Sequence, residues 1–137
     1  MSNISIACIA LNSEGKVLIA HRNPTGQMGS RWEFPGGKVE DGEDDLTAIV
    51  REFNEEFGVT VKAGEHITDA EFEHNGKKRL LHAYRIFVPH DGIEKKYVLR
   101  EHTEYRWADF SEIPDLNFVD SDLLIYDAVK KYGESLK

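Results

Sequence analysis

Gly37-Lys-Val-Glu-Asp-Gly-Glu43 and, seven residues later, Arg51-Glu52-Phe53-Asn54-Glu55-Glu56-Phe57-Gly58-Val59 form the stretch that organises the rest of the chain. Between Asp44 and Phe57 the apolar residues Leu46, Ile49, Val50, Phe53 and Phe57 recur at spacings of three and four, the period of an amphipathic helix. Gly58 follows as a C-cap, and the β-branched residues of Val59-Thr60-Val61 extend a helix poorly. At roughly 100° per residue, Glu52, Glu55 and Glu56 fall within an arc of about 100°. The apolar stripe centred on Leu46, Phe53 and Phe57 takes the neighbouring arc. One edge of this helix therefore packs on a sheet while the adjacent edge presents three carboxylates.

Such a helix opposes its own electrostatics. Like charges three and four residues apart repel by roughly 0.2–0.5 kcal/mol per pair. Glu55 and Glu56 also lie near the carbonyl end, where the macrodipole disfavours acids. A hard divalent cation removes the conflict, since Mg²⁺ favours carboxylate and carbonyl oxygens. For an isolated E-x-x-E-E, a solvated acidic face explains the same residues without any ligand.

The whole segment is more specific than that. It resembles the Nudix box, G-x5-E-x7-R-E-U-x-E-E-x-G-U with U apolar, and Gly37, Glu43, Arg51, Glu52, Phe53, Glu55, Glu56, Gly58 and Val59 match every fixed position and spacing. Phe53 is an aromatic where aliphatic residues are commoner. The resemblance implies an α/β fold, an α/β/α sandwich with a mixed central sheet, in which the box forms a loop–helix–loop. It implies metal ligation by Glu52, Glu55, Glu56 and the backbone carbonyl of Gly36, with Mg²⁺ as cofactor and Mn²⁺ as substitute. Arg51 would orient a catalytic glutamate through a charge-assisted hydrogen bond. Glu43 would brace the loop–helix–loop, and Gly37 would let the backbone turn close to the metal. Mg²⁺ neutralises phosphate oxygens and orients in-line attack on a diphosphate, while a carboxylate takes the water proton. Glu52 is the first choice for that base, with Glu55 and Glu56 mainly holding metal.

Outside the box the resemblance touches four more residues. Glu101, ahead of Glu104-Tyr-Arg-Trp107, would be a further metal ligand or alternative base, or else a solvated loop acid. Phe34, in Trp32-Glu-Phe-Pro-Gly-Gly37, would line a nucleoside pocket or belong to the core. Arg22 would contact the nucleotide or simply end a strand. Asp120 would cap the terminal helix, or accept a hydrogen bond from the exocyclic amine of a base.

The flanks read as strands and a second helix. Ser2 to Leu11 and Lys16 to His21 bracket the turn residues 12–15 as a hairpin, and 23–30 is a loop. Trp32 to Phe34 is a short extended piece ended by Pro35-Gly36-Gly37. Ile67 to Glu73 and Lys78 to Val88 flank Asn75-Gly76 as a second hairpin, and Tyr97 to Trp107 is extended. Ser121 to Tyr132 is a terminal helix with Leu124, Ile125, Ala128, Val129 and Tyr132 on one face.

The 137 residues, 40% of them apolar, suit one domain over 1–137. Ile4 to Leu11 follows no Lys or Arg, so it is a strand rather than a signal segment, and a cytoplasmic location is expected. The lone Cys8 forms no internal disulfide and packs in that strand. A net charge of −8 disfavours nucleic-acid polymers and membranes, though not a small phosphate ligand carrying metal. The expected protein is a monomer or homodimer of the MutT-like kind, a pyrophosphohydrolase that cuts a nucleoside triphosphate, oxidised or not, to monophosphate and pyrophosphate. Hydrolysis of dinucleotide polyphosphates or nucleotide sugars is the alternative substrate class, and a non-catalytic nucleotide sensor the alternative role.

Overall fold

The central layer is made of two sheets that share one corner. The computed structural model describes residues 3–22, 31–88 and 102–136. Glu101, the loop expected over 23–30 and the beginning of the strand expected over 97–107 lie outside them. The strands are β1 (Ile4–Ala10), β2 (Val17–Arg22), β3 (Trp32–Glu33), β4 (Gly36–Lys38), β5 (Lys62–His74), β6 (Lys77–Phe87) and β7 (His102–Ala108). Helix α1 (Asp45–Phe57) follows β4, and a 3-10 turn (Phe110–Asp115), α2 (Asp120–Leu123) and α3 (Tyr126–Ser135) end the chain.

β4, β1, β6 and β5 form a mixed sheet in that order, with β1 parallel to β6 and antiparallel to β4. β3, β2 and β7 form a second, antiparallel sheet. The expected first hairpin is therefore only a corner: β1 and β2 touch through the single bridge Leu11–Val17 and then part into different sheets. The cause is non-local. β1 is buried on both faces from Ile6 to Ala10, and each of its edges is taken, by β4 and by β6. The corner itself is locked by Asn12. Its Oδ1 accepts from the N–H groups of Glu14 (3.0 Å) and Lys16 (2.9 Å), its N–H donates to the Lys16 carbonyl and its carbonyl accepts from Gly15, both at 3.0 Å.

Strand alternation sends the two faces of this layer to different helices. Ile6, Cys8 and Ala10 of β1 and Leu18 and Ala20 of β2 pack under Ile49, Phe53 and Phe57 of α1. Ala7, Ile9, Val17 and Ile19 pack with Phe110, Ile113, Ile125 and Val129 on the other side. The result is the α/β/α arrangement the sequence led us to expect. Burial pushes the Cys8 thiol far above its ordinary pKa, with the Glu52 and Asp122 charges adding to it, as suits a packing residue.

Helix α1 begins where Asp44 Oδ1 accepts from the Thr47 N–H at 2.8 Å, and ends at Gly58, whose φ of 70° is the left-handed cap. The apolar stripe is narrower than its periodicity implies. Leu46 and Val50 are exposed, and the buried face consists of Ala48, Ile49, Phe53, Glu56 and Phe57. Phe53 stacks on Phe57 at 4.5 Å. The second hairpin forms as expected about Asn75 and Gly76, both at positive φ. The terminal helix is not continuous. Leu124 and Ile125 donate back to Ser121 and Asp122 at 3-10 spacing, which separates α2 from α3 and turns Ile125 inward while leaving Leu124 exposed. The 3-10 turn at Phe110–Asp115 was unexpected; its sequence signal is the D-x-x-E spacing by which Glu112 Oε2 accepts from the Asp109 N–H at 2.8 Å.

Candidate active site

β1 runs from the open ends of the two sheets to the shared corner, and β2 runs back out. Between those open ends lies a cavity of about 460 Å³. One end is bounded by Gly36, Gly37 and Lys38 of β4 with Glu52 of α1. The other is bounded by Phe34, Val119, Ser121 and Asp122. Ser5, Ile6, Phe72, Arg79 and Leu81 form the sheet wall.

Both glycines at the box end are dictated by close approach. β4 pairs with β1 at Ala7–Gly36 and Ile6–Gly37. A β-carbon on Gly36 would run into the Ile6 carbonyl oxygen. A β-carbon on Gly37 would stand 2.5–2.6 Å from both carboxylate oxygens of Glu52. Gly37 thus opens the hollow in which the Glu52 carboxylate sits.

Arg51 ties the loop to the helix. Its Nε and Nη2 grip Glu43 at 2.7 and 2.9 Å, and Nη2 also donates to the Lys38 carbonyl at 3.0 Å. Its Nη1 donates to Glu52 Oε1 at 2.9 Å and lies 3.4 Å from Glu55 Oε1. These bonds hold the Glu43 carboxyl well below the usual range, at about 2, helped by the Glu40 N–H. A carboxyl whose folded pKa is depressed adds stability that is complete above its ordinary 4.5 and is lost as pH falls through about 2. Glu43→Gln is expected to lower stability by ~1.5–3 kcal/mol near neutral pH, the range for a hydrogen bond to a charged group. The difference from wild type should close between pH 4.5 and 2 in urea melts; a gap that persists at pH 2 contradicts the assignment.

The three box glutamates differ in environment. The Glu52 side chain is 21% exposed, Glu55 58%, and Glu56 as a residue only 9%. Among the described residues no three His, Cys, Asp or Glu side chains converge on one ion position; Arg51 holds Glu52 and reaches Glu55. The donors are nonetheless of the right kind for a hard divalent cation: carboxylates on one helical arc, beside a hollow kept open by Gly37.

The remaining expected residues are placed unequally. Phe34 is buried, edge-to-face on Phe118 at 5.1 Å, and lines the cavity, so it is both core and wall. Arg22 lines the cavity and pairs with Glu33 at 3.0 Å. Asp120 does not cap the terminal helix. Val119 holds the N-cap position, and the Asp120 side chain is 80% exposed, paired with Arg31 at 3.2 Å and absent from the cavity wall. Asp122 takes the inward position: it is buried, and its Oδ2 accepts from the Phe34 N–H at 2.9 Å. Burial raises the Asp122 pKa well above the carboxylate range, and the Glu33 charge adds to that, against the Phe34 hydrogen bond and Arg22. Two acids two residues apart on a helix point about 200° apart, so one of the pair had to face out. Sequence reasoning also passed over Lys38, Phe72, His74 and Arg79, all of which line the cavity.

Comparison with known proteins agrees with this geometry. Residues 1–128 match the model of the NUDIX domain. The CTP pyrophosphohydrolase of Escherichia coli K12 is 29% identical over 128 residues, 93% of this chain and 92% of that one. The 8-oxo-dGTP diphosphatase of the same organism is 41% identical over 61 residues, 44% of this chain and 47% of its own. The crystal structure of a MutT protein from Methanosarcina mazei Go1 superposes with a TM-score of 0.79 at 24% identity, covering 99% of this chain and 96% of that one. Members of the family typically require a divalent metal. With an unbroken box beside a nucleotide-sized cavity, the chain belongs to the Nudix family and is a Nudix pyrophosphohydrolase.

Proposed function

We propose that this enzyme hydrolyses a nucleoside triphosphate, oxidised or not, to nucleoside monophosphate and pyrophosphate with Mg²⁺ as cofactor. The observation that carries the reading is the continuity of the cavity. One hollow joins the box residues Gly37 and Glu52 to the buried Phe34 and Asp122, so a phosphate chain and its nucleoside share one site. Its volume of about 460 Å³ falls in the range of small-ligand pockets.

Glu52, Glu55, Glu56, the Gly36 carbonyl and Glu101 would hold the metal, which when bound neutralises phosphate charge and orients in-line attack. Glu52 accepts a proton from the attacking water as its oxygen bonds to phosphorus and the phosphorus–oxygen bond to the leaving group, nucleoside monophosphate or pyrophosphate, breaks. Arg51 keeps the Glu52 carboxylate oriented through its 2.9 Å bond. Arg22 contacts the phosphate or ribose side. Phe34 walls the nucleoside, and Asp122 takes the part first given to Asp120, accepting from the exocyclic amine of the base. A cytosine-type or guanine-type base meets that requirement.

The test is incubation with Mg²⁺ and normal and oxidised triphosphates, diadenosine polyphosphates, ADP-ribose and NADH, with products separated by chromatography. Monophosphate plus pyrophosphate from one triphosphate is expected, and Glu55→Gln should remove most turnover while leaving the thermal midpoint within a few degrees. Cleavage of dinucleotides or nucleotide sugars alone would discard the substrate class. Full activity in Glu55→Gln would discard the metal site.

A further inference from the structure

Five polar side chains meet between the first turn of α1 and the strands β6 and β5, and none of them lines the cavity. Asp45 Oδ2 accepts from His82 Nδ1 and from the Tyr84 hydroxyl, both at 2.7 Å. A carboxylate only accepts, so Nδ1 of this imidazole carries a hydrogen. Burial and the bond to Asp45 push the Tyr84 hydroxyl up to about 12, which keeps it a donor near neutral pH. His82 and Tyr84 are two residues apart on β6 and face the same side of the sheet. Their register partners on β5 are Asp69 and His66, which bond to each other at 2.6 Å. Asp69 Oδ1 lies 3.9 Å from His82 Nε2, and the His66 ring meets the Tyr84 ring edge-on at 5.2 Å. The contact of Asp45 with His82 is the shielded part of the cluster, whereas His66 and Asp69 are about half exposed.

The contact lies in the half of α1 with the weaker apolar grip. Phe53 and Phe57 are buried in the second half, while Leu46 and Val50 of the first half are exposed. Asp45 also shares a ridge with the box. At about 100° per residue, Glu52 and Glu56 each lie about 20° from Asp45 around the helix axis. Glu52 is about 10.5 Å further along that axis. β1 separates β4 from β6, which puts them about 9.6 Å apart. One ridge thus spans the sheet, from β6, where Asp45 is tied, to β4, where Glu52 stands beside Gly37. Side chains reach about 5–6 Å from a helix axis, so a roll of about 10° carries a carboxylate about 1 Å. Apolar burial is non-directional and resists such a roll weakly, whereas hydrogen bonds fix an angle.

On the reading that Glu52, Glu55 and Glu56 hold the metal, we propose that His82 and Tyr84 are positioning residues: through Asp45 they fix the rotation of α1 about its axis, and so the direction in which the box carboxylates point. Asp45 falls between Glu43 and Arg51, at a position the box pattern leaves open, and His82 and Tyr84 lie beyond the box altogether. A displacement of about 1 Å in a reacting group costs roughly 100-fold in rate, so a small roll is enough to matter. Arg51 orients the Glu52 carboxylate locally; the Asp45 tie sets the helix from which that carboxylate projects.

The experiment compares wild type with Asp45→Ala, Asp45→Asn, Tyr84→Phe and the double variant Asp45→Ala/Tyr84→Phe. Mn²⁺ is titrated calorimetrically into each protein without nucleotide. In parallel, kcat and KM are measured at saturating Mg²⁺ on the panel of normal and oxidised triphosphates. Asp45→Ala should lower kcat roughly 10- to 100-fold and weaken Mn²⁺ binding about 10-fold, the scale on which groups behind metal ligands act. KM should hold within a few-fold, because the cavity wall is untouched. Asp45→Asn keeps an oxygen with two lone pairs for the same donors and should recover most of both losses. Tyr84→Phe removes one of the two bonds and should lower kcat roughly 2- to 10-fold. Added to Asp45→Ala it should cost nothing more, because Tyr84 acts only through Asp45. Wild-type kcat and Mn²⁺ affinity in Asp45→Ala would overturn the inference, as would losses in the two single variants that simply add. If Asp45→Ala does not fold, wild-type kcat in Tyr84→Phe overturns it instead. Mn²⁺ binding that Glu55→Gln leaves unchanged would overturn the metal reading and this inference with it. Mn²⁺ binding lost in Glu55→Gln but intact in Asp45→Ala would overturn this inference alone. Should wild type cleave none of the triphosphates, the Mn²⁺ titrations decide the role of the cluster.

Discussion

Glu52→Gln is expected to lower kcat about 100- to 10,000-fold, the usual contribution of a positioned general base. The substitution is nearly isosteric. Its amide oxygen can still accept from Arg51 Nη1, now 2.9 Å from Glu52 Oε1, so the latch between loop and helix survives. KM for the nucleotide should stay within a few-fold, because Phe34 and Asp122, the cavity residues proposed to meet the nucleoside, are untouched. Turnover measured across a Mg²⁺ titration separates two causes of loss. A deficit that saturating Mg²⁺ restores would make Glu52 a ligand only, whereas one that persists at saturation identifies the base. A variant retaining a tenth of wild-type kcat would move the base to another carboxylate, with Glu55 and Glu101 next in line.

Gly37→Ala should lower activity without replacing any carboxylate of the box. The added methyl would stand 2.5–2.6 Å from both Glu52 oxygens, well inside contact distance. The carboxylate is the end of a flexible side chain and can move aside, so the fold should persist with a loss of ~1–3 kcal/mol from overpacking. The chemistry should not persist. A displacement near 1 Å in a reacting group is worth roughly 100-fold in rate, and that is the expected fall in kcat. Thermal melts and steady-state kinetics on one preparation check both halves. Wild-type turnover in Gly37→Ala would show that the position of Glu52 beside Gly37 has no bearing on catalysis.

Local signals carried most of what was legible in the sequence. The helix from Asp45 to Phe57, its Gly58 cap and the Asn75-Gly76 turn each depend on residues within a few positions, and the structure has all three. The bracing role that the resemblance implied for Glu43 takes the form of two short bonds from Arg51. Non-local pairing was not legible. Nothing near residues 12–15 reveals that β4 and β6 occupy both edges of β1 and push β2 into another sheet. Burial misled where the helical period was taken alone: Leu46 fits the period of the buried residues but is 50% exposed, while Glu56 is 9% exposed. Asp120 and Asp122 show the same limit at the site. The composition of the segment permits either acid to face inward, and the 3-10 spacing at Leu124 and Ile125 accompanies the inward turn of Asp122. Arg79 and Phe72 belong to a hairpin legible as secondary structure, yet only tertiary folding brings that hairpin against the cavity.

The Asn12 corner has a thermodynamic meaning. It is the point where the first two strands leave one another, and four hydrogen bonds fix the angle at which they do so. The walls of the cavity are levers from that point, so a stiff corner gives them a constant spacing before any ligand arrives. On the proposed function, a cavity held open by such a corner leaves less ordering entropy for the protein to lose when a nucleotide is captured.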